Sequence, residues 1–112
     1  MSKKLFRWNK GRQNTGYDVF PFFMSKWLKM DCYLIRISEG VEIPEHNDEV
    51  EAGKHYRLNI HFGFYNGGKF HCESYICKLF ETLFYFRPDI FKHSLGKVVS
   101  GTLYIFSLGF VK

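Results

Sequence analysis

No uninterrupted apolar run approaches the roughly eighteen residues of a membrane-spanning helix, so a helical membrane protein is not expected. The basic N-terminus is not followed by a signal-type apolar core and small-residue cleavage site, which argues against secretion. Cysteine is scarce. Cys32, Cys72 and Cys77 form no CxxC pair, and an odd number fits a reducing compartment better than a disulfide scaffold. They read as small buried apolar groups, and Cys72 and Cys77 near His71 lack the paired ligands of a structural zinc site. A cytoplasmic protein without membrane contact is the expectation. Arginine is also missing from the C-terminal part, with none after Arg87.

A chain of 112 residues has room for one core, so a single domain over 1–112 is expected, with a basic, aromatic extension over 1–30 and a core over 31–112. Apolar residues make up 46% and aromatics 20%, enough to exclude disorder over most of the length. The formal net charge of +5 hides a polarity. The first thirty residues hold Lys3, Lys4, Arg7, Lys10, Arg12, Lys26 and Lys29 against one acid, Asp18. Six acids crowd one later segment: Glu39, Glu42, Glu45, Asp48, Glu49 and Glu51. The basic arm, with Phe6, Trp8 and Tyr17, either lies across that acidic segment or contacts nucleic acid through phosphates and stacked bases. The aromatic clusters Phe20–Trp27 and Phe80–Phe86 read as core or as a subunit interface of a homo-oligomer.

Residues 22–30 are read as a short N-terminal helix. From residue 31 onward the pattern is β. CYLIRI (32–37) is rich in β-branched and aromatic residues, and VEIPEHNDE is a short edge-like segment whose Pro44 limits it to a sheet margin. HYRLNIHF (55–62) alternates strictly, with Tyr56, Leu58, Ile60 and Phe62 on one face and His55, Arg57, Asn59 and His61 on the other. One polar face on a strand is what a cavity wall requires. YNGGKF (65–70) reads as a hairpin turn, FHCESYICKLF and TLFYFR as two more strands or one strand and an irregular connection, and RPDIFKHSLGK as a loop. KVVSGTLYIFSLGFV is a long terminal strand with Gly101 and Gly109 at bulges or bends. Seven or eight short strands predict a mainly all-β sandwich, jelly roll or barrel.

His46 and Asp48, one residue apart, share a face of an extended segment, and His93 follows just ahead of the last strand. Two imidazoles and a carboxylate on one side of a metal leave coordination positions open, as in non-haem iron(II) oxygenases. Five histidines and four aspartates give about 0.2 chance occurrences of His-x-Asp, so the surrounding strand order carries the assignment. His55 and His71 read as surface or satisfied histidines.

The succession IPEHND, HYRLNIHFGF, GGKF, FRPDIFKHSLGKVVSGTLYIFSLGF resembles the 2-oxoglutarate and iron(II)-dependent oxygenases, in particular the aspartyl/asparaginyl β-hydroxylase-like branch, over about residues 32–112. The resemblance implies a double-stranded β-helix, or cupin-like jelly roll, with His46, Asp48 and His93 at the metal-ligand positions. It implies that His61 lines the co-substrate pocket, with Arg57 and Asn59 on the same face. The family usually has an arginine about ten residues after the distal histidine to pair with the far carboxylate of 2-oxoglutarate. Here that place is Leu103, between Thr102 and Tyr104. Either Arg57 or His61 supplies the charge with a hydroxyl from Thr102 or Tyr104, or a different small acid is used, or the scaffold keeps metal or shape without turnover. The leading expectation is an oxygenase hydroxylating a small molecule or protein side chain, with iron(II) and 2-oxoglutarate. The alternative is a non-catalytic module binding a protein or nucleic acid through its basic and aromatic surface, and a cupin-like metalloprotein without a keto acid is a third.

Overall fold

The computed structural model describes residues 8–10, 17–25, 27–47, 53–80 and 82–112. Asp48, Glu49 and Glu51 of the acidic segment and most of the basic residues of the N-terminal arm lie outside these residues. Among the described residues ten strands follow in order: β1 Asn9–Lys10, β2 Asp18–Ser25, β3 Met30–Ile37, β4 Ile43–His46, β5 His55–Gly67, β6 Phe70–Cys72, β7 Cys77–Leu79, β8 Leu83–Phe86, β9 His93–Leu95 and β10 Val98–Val111. They form a seven-stranded sheet, β1-β2-β3-β10-β5-β8-β7, and a three-stranded sheet, β4-β9-β6. Every pairing is antiparallel. The architecture is all-β, as expected from the strand spacing.

Three local expectations are corrected. Among the described residues there is no helix, hence none able to cross a membrane. Residues 22–25 continue β2, and 27–29 make the turn into β3, because Phe23, Met24 and Ser25 find partners in Cys32, Asp31 and Met30. YNGGKF is no hairpin: Gly67 ends a strand of the large sheet, whereas Phe70 starts one in the small sheet. Gly67 and Gly68 take φ of 77° and 59°, the left-handed turn that this change of sheet uses. The loop RPDIFKHSLGK contains β9, the central strand of the small sheet.

The cysteines are unpaired, as expected, but only Cys32 is buried, whereas Cys77 is exposed on the edge strand β7. The aromatic cluster near residue 84 divides: Phe84 and Phe86 are fully buried, and Phe80 is exposed.

The apolar core fills one end of the space between the sheets. Val19, Ile37, Leu103 and Ile105 of the large sheet meet Leu95 of the small one, with Ile43 and Phe70 packed against them. Burying each such side chain contributes about 1.5–3 kcal/mol. At the other end the inward rows turn polar. Ser107 pairs with Tyr33 and Asn59, and Gly109 pairs with Asp31 and Arg57. Cross-strand neighbours share a face, so this register assembles the site.

Candidate metal centre

Strands β4 and β9 pair so that His46 stands directly opposite His93. Their ring centroids are 4.4 Å apart. Each ring is held the same way. His46 Nδ1 lies 2.8 Å from the Pro44 carbonyl, and His93 Nδ1 lies 2.9 Å from the Phe91 carbonyl. A carbonyl oxygen has no proton to give, so both Nδ1 atoms donate, and in the neutral ring Nε2 becomes the lone-pair nitrogen. Metal-binding histidines are oriented in this way, with the second nitrogen donating to a carbonyl or carboxylate. His93 is 7% exposed and His46 half-buried, so the pair opens towards the mouth of the space it lines. Asn47 Nδ2 donates to the Asp89 carbonyl at 3.2 Å, tying the end of β4 to the turn before β9. That turn is fastened by Arg87, whose guanidinium donates to both Asp89 oxygens at 3.2 and 2.6 Å. Burial alone would raise the Asp89 carboxyl, but the Arg87 hydrogen bond, the backbone amides of His55 and Asp89, and the guanidinium charge together hold it below its ordinary value.

The pair faces a cavity of about 100 Å³, walled also by Tyr33, Arg57, Asn59 and Ser107. Its far wall is one network. Arg57 donates from Nη1 to Ser107 Oγ at 2.7 Å, and Ser107 donates to Asn59 Oδ1 at 2.6 Å. Arg57 Nη2 donates to Asp31 Oδ1 at 2.8 Å and to His55 Nε2 at 3.3 Å. The guanidinium reaches Asp31 by lying across Gly109, where a Cβ would sit 2.3 Å from Nη2. Gly109 is therefore a clearance and not the bend expected from the sequence. A ligand carboxylate meeting Arg57 has to share it with Asp31 and Ser107. The volume suits a metal ion with a small acid or a few waters, well below the roughly 300 Å³ of drug-sized pockets.

Of the residues singled out in the sequence, His46, His93, Arg57 and Asn59 are brought together around this cavity. Asp48 lies outside the described residues, and among those described no group of three His, Cys, Asp or Glu converges. His61 shares the inner face of β5 but stands one row away, opposite Ile105, with its ring edge-on to Phe84 and Phe70. Phe70 stands between it and His93, with centroids 5.7 and 6.1 Å away. Burial pushes the His61 imidazole down to about 4. Thr102 and Tyr104 are not brought to the cavity, because strand alternation turns Leu103 inward and both of them outward. Tyr104 stacks on Phe62 at 5.7 Å on the outer surface of the sheet. Sequence reasoning missed Ser107, Asp31 and the partition by Phe70. Ser107 is the one small polar residue on an otherwise apolar inward run of β10, a signal that needed the β5 register to be read.

No family model and no curated protein sequence matches the chain. Solved structures do. The cupin domain of Schizosaccharomyces pombe Cnp3 superposes with a TM-score of 0.55 at 9% identity, covering 86% of this chain and 65% of that one. A chain from the complex of Rhodobacter sphaeroides SigE with the anti-sigma ChrR gives 0.54 at 15% identity, covering 93% of this chain and 48% of that one. The fold is cupin-like. At such identities the likeness extends to the fold alone, and the chain spans less than two thirds of either neighbour. The cupin-like jelly roll, one of the architectures left open by strand spacing and the one the resemblance implied, is thus present. Cupin-like domains include enzymes and non-enzymes, so the chemistry has to be argued from the residues.

Proposed function

We propose that this cupin-like chain holds a divalent cation on His46 and His93, with Asp48 completing the donor set, and that iron(II) is that cation. The observation that carries the reading is the cross-strand histidine pair, both Nδ1 atoms fixed by carbonyls two residues earlier. Two nitrogens and one carboxylate suit iron(II) with open positions. When bound, such an ion supplies Lewis-acid and O₂-activating chemistry. The chain's own residues orient and enclose: Arg57 and Asn59 face the histidine pair and orient a small acid, with 2-oxoglutarate as the co-substrate of an oxygenase. Tyr33, Phe70 and Phe86 exclude water from the cavity, and the target, a small molecule or a protein side chain, approaches the open mouth. The test is anaerobic titration of metal-free protein with iron(II), then 2-oxoglutarate, then O₂. Replacing His46 and His93 by Ala should weaken metal binding by at least about 100-fold, the upper end of what losing an outer-sphere partner alone does. Wild-type protein that binds no divalent ion would sink the reading. Metal binding without a visible charge-transfer band or succinate formation would remove only the co-substrate.

A second reading, a surface that engages a protein, is favoured by the outer face of the large sheet. Phe22, Leu34, Phe106, Ile60 and Phe62 all point outward there, with Phe62 46% and Phe64 95% exposed. Among the described residues, the guanidinium groups that reach this face, Arg36 and Arg87, are paired with Asp18 and Asp89 of the same chain. Phosphate binding uses such groups, so this face suits protein better than nucleic acid. The basic arm falls mostly outside the described residues.

A further inference from the structure

We infer that the far end of the small acid is received by the Asn59 amide nitrogen and not by the Arg57 guanidinium, so that the cavity reads an oxygen acceptor there and not a charge. The inference rests on the metal reading above and names the residue that sets its ligand specificity. A guanidinium grips a carboxylate with two parallel N–H groups, either Nε with Nη2 or Nη1 with Nη2. Arg87 forms the first of these forks on Asp89, one nitrogen to each oxygen. Arg57 has no such fork to offer. Both hydrogens of its Nη2 are committed, to Asp31 Oδ1 at 2.8 Å and to His55 Nε2 at 3.3 Å, and Nη1 already gives one to Ser107 Oγ at 2.7 Å. The bare Cα of Gly109 is what lets the guanidinium reach across to Asp31. With the Asp31 carboxylate beside it, the Arg57 charge is offset before any ligand arrives.

The same chain of bonds sets the polarity of Asn59. A guanidinium has no lone pair with which to accept, so Ser107 Oγ accepts from Nη1 and turns its own hydrogen to Asn59, 2.6 Å away. The amide atom facing Ser107 is therefore the oxygen, and turning the amide round would set its hydrogens against the hydroxyl hydrogen. This relay leaves the two Nδ2 hydrogens unused. Asn59 is buried and lines the same cavity as His46 and His93, where a ligand oxygen is the complement of an N–H donor. The other anchors suggested by the sequence lie elsewhere: Tyr104 stacks on the outer surface, and His61 stands behind Phe70. Arg57 is thus a positioning residue that acts through Ser107.

The experiment is calorimetric titration of the full chain, first with iron(II) under anaerobic conditions. With iron bound, the protein is then titrated with 2-oxoglutarate and with 2,5-dioxohexanoate, which carries a methyl ketone in place of the far carboxylate. Wild-type affinities for the two should agree within about tenfold, whereas a charged two-bond fork would favour the acid by at least about 100-fold. Asn59→Leu, similar in size and without a donor, should weaken both by at least about tenfold and leave iron affinity unchanged. Ser107→Ala, which frees the amide to turn, should weaken both at an unchanged ratio. Asp31→Ala releases Nη2 and should create a preference for the acid of at least about tenfold, a gain that mere loosening of the structure does not produce. If Asn59→Leu fails to fold, the wild-type ratio and Asp31→Ala still decide. A wild-type preference for the acid of about 100-fold, or an Asp31→Ala ratio equal to that of the wild type, would overturn the inference. So would iron-loaded protein that takes up neither compound. A chain that binds no iron fails at the first titration, where the metal reading is lost and the inference with it.

Discussion

The two faces of β5 are opposite in character and placed contrary to the usual rule. His55, Arg57, Asn59 and His61 point inward and are buried, whereas Ile60 and Phe62 point outward and are exposed. A half-buried strand ordinarily turns its apolar side to the core. Unpaired, each buried polar group would cost about 1–3 kcal/mol. Arg57 and Asn59 avoid that cost by meeting at Ser107, and Arg57 also by meeting Asp31. The polar interior walls a cavity, and the apolar exterior is the surface proposed above to engage a protein. Each anomaly marks a place where folding stability is subordinate to function.

The sharpest way to break this contrast is at Leu103, where the oxygenase pattern has an arginine. Leu103 is fully buried at the apolar end of the inner face, packed with Ile37, Val98 and Ile105. Leu103→Arg therefore places a charge in the core and should cost more than about 4 kcal/mol, removing cooperative thermal unfolding. A variant that melts near the wild-type temperature would show that this row belongs to the cavity.

Next in size is acid sensitivity at His61. Its folded-state value of about 4 lies below the ordinary 6.5, so the unfolded chain takes up the proton first as pH falls. Stability is complete above about 6.5 and is eroded down to pH 4, by up to about 3 kcal/mol. Asp89, also held low, releases its contribution only at still lower pH. His61→Phe should flatten the slope of denaturation midpoint against pH between 4 and 6.5. An unchanged slope would place the titration elsewhere.

The alternation of β5 was legible in the sequence, and with it the membership of both faces, because period two needs only neighbours along the chain. The strand rhythm also gave the all-β class, whereas the grouping of His46 and His93 with Arg57 and Asn59 came from the family resemblance. What the sequence could not give was phase across strands. Thr102 and Tyr104 differ from Leu103 by one position, and only the pairing of Tyr104 with Phe62 and Leu103 with Gly63 turns them outward. Phase also separates His61 from the histidine pair, since Phe70 arrives from the other sheet. The short β9 was hidden because three residues carry too little periodicity to stand out beside Pro88 and Gly96.

Gly109 offers the finest test, since it alters the inner face without touching polarity or core. The atoms nearest to a Cβ there all belong to the guanidinium, with Nη2 at 2.3 Å and Cζ at 2.5 Å, while the backbone is not left-handed and accepts alanine. Gly109→Ala should therefore displace the end of Arg57 and break its 2.8 Å bond to Asp31. The lost charged hydrogen bond is discounted by the 30% exposure of Asp31 and by the entropic gain of alanine over glycine, leaving a net loss of about 1 kcal/mol. Asp31→Asn attacks the same bond from its other end. If glycine is present to let Arg57 cross β10, the two substitutions share one loss and the double variant falls short of their sum by about 1 kcal/mol in a denaturant cycle. Strict additivity would mean that the bridge does not depend on the missing side chain, and the polar network would then owe its form to Ser107 alone.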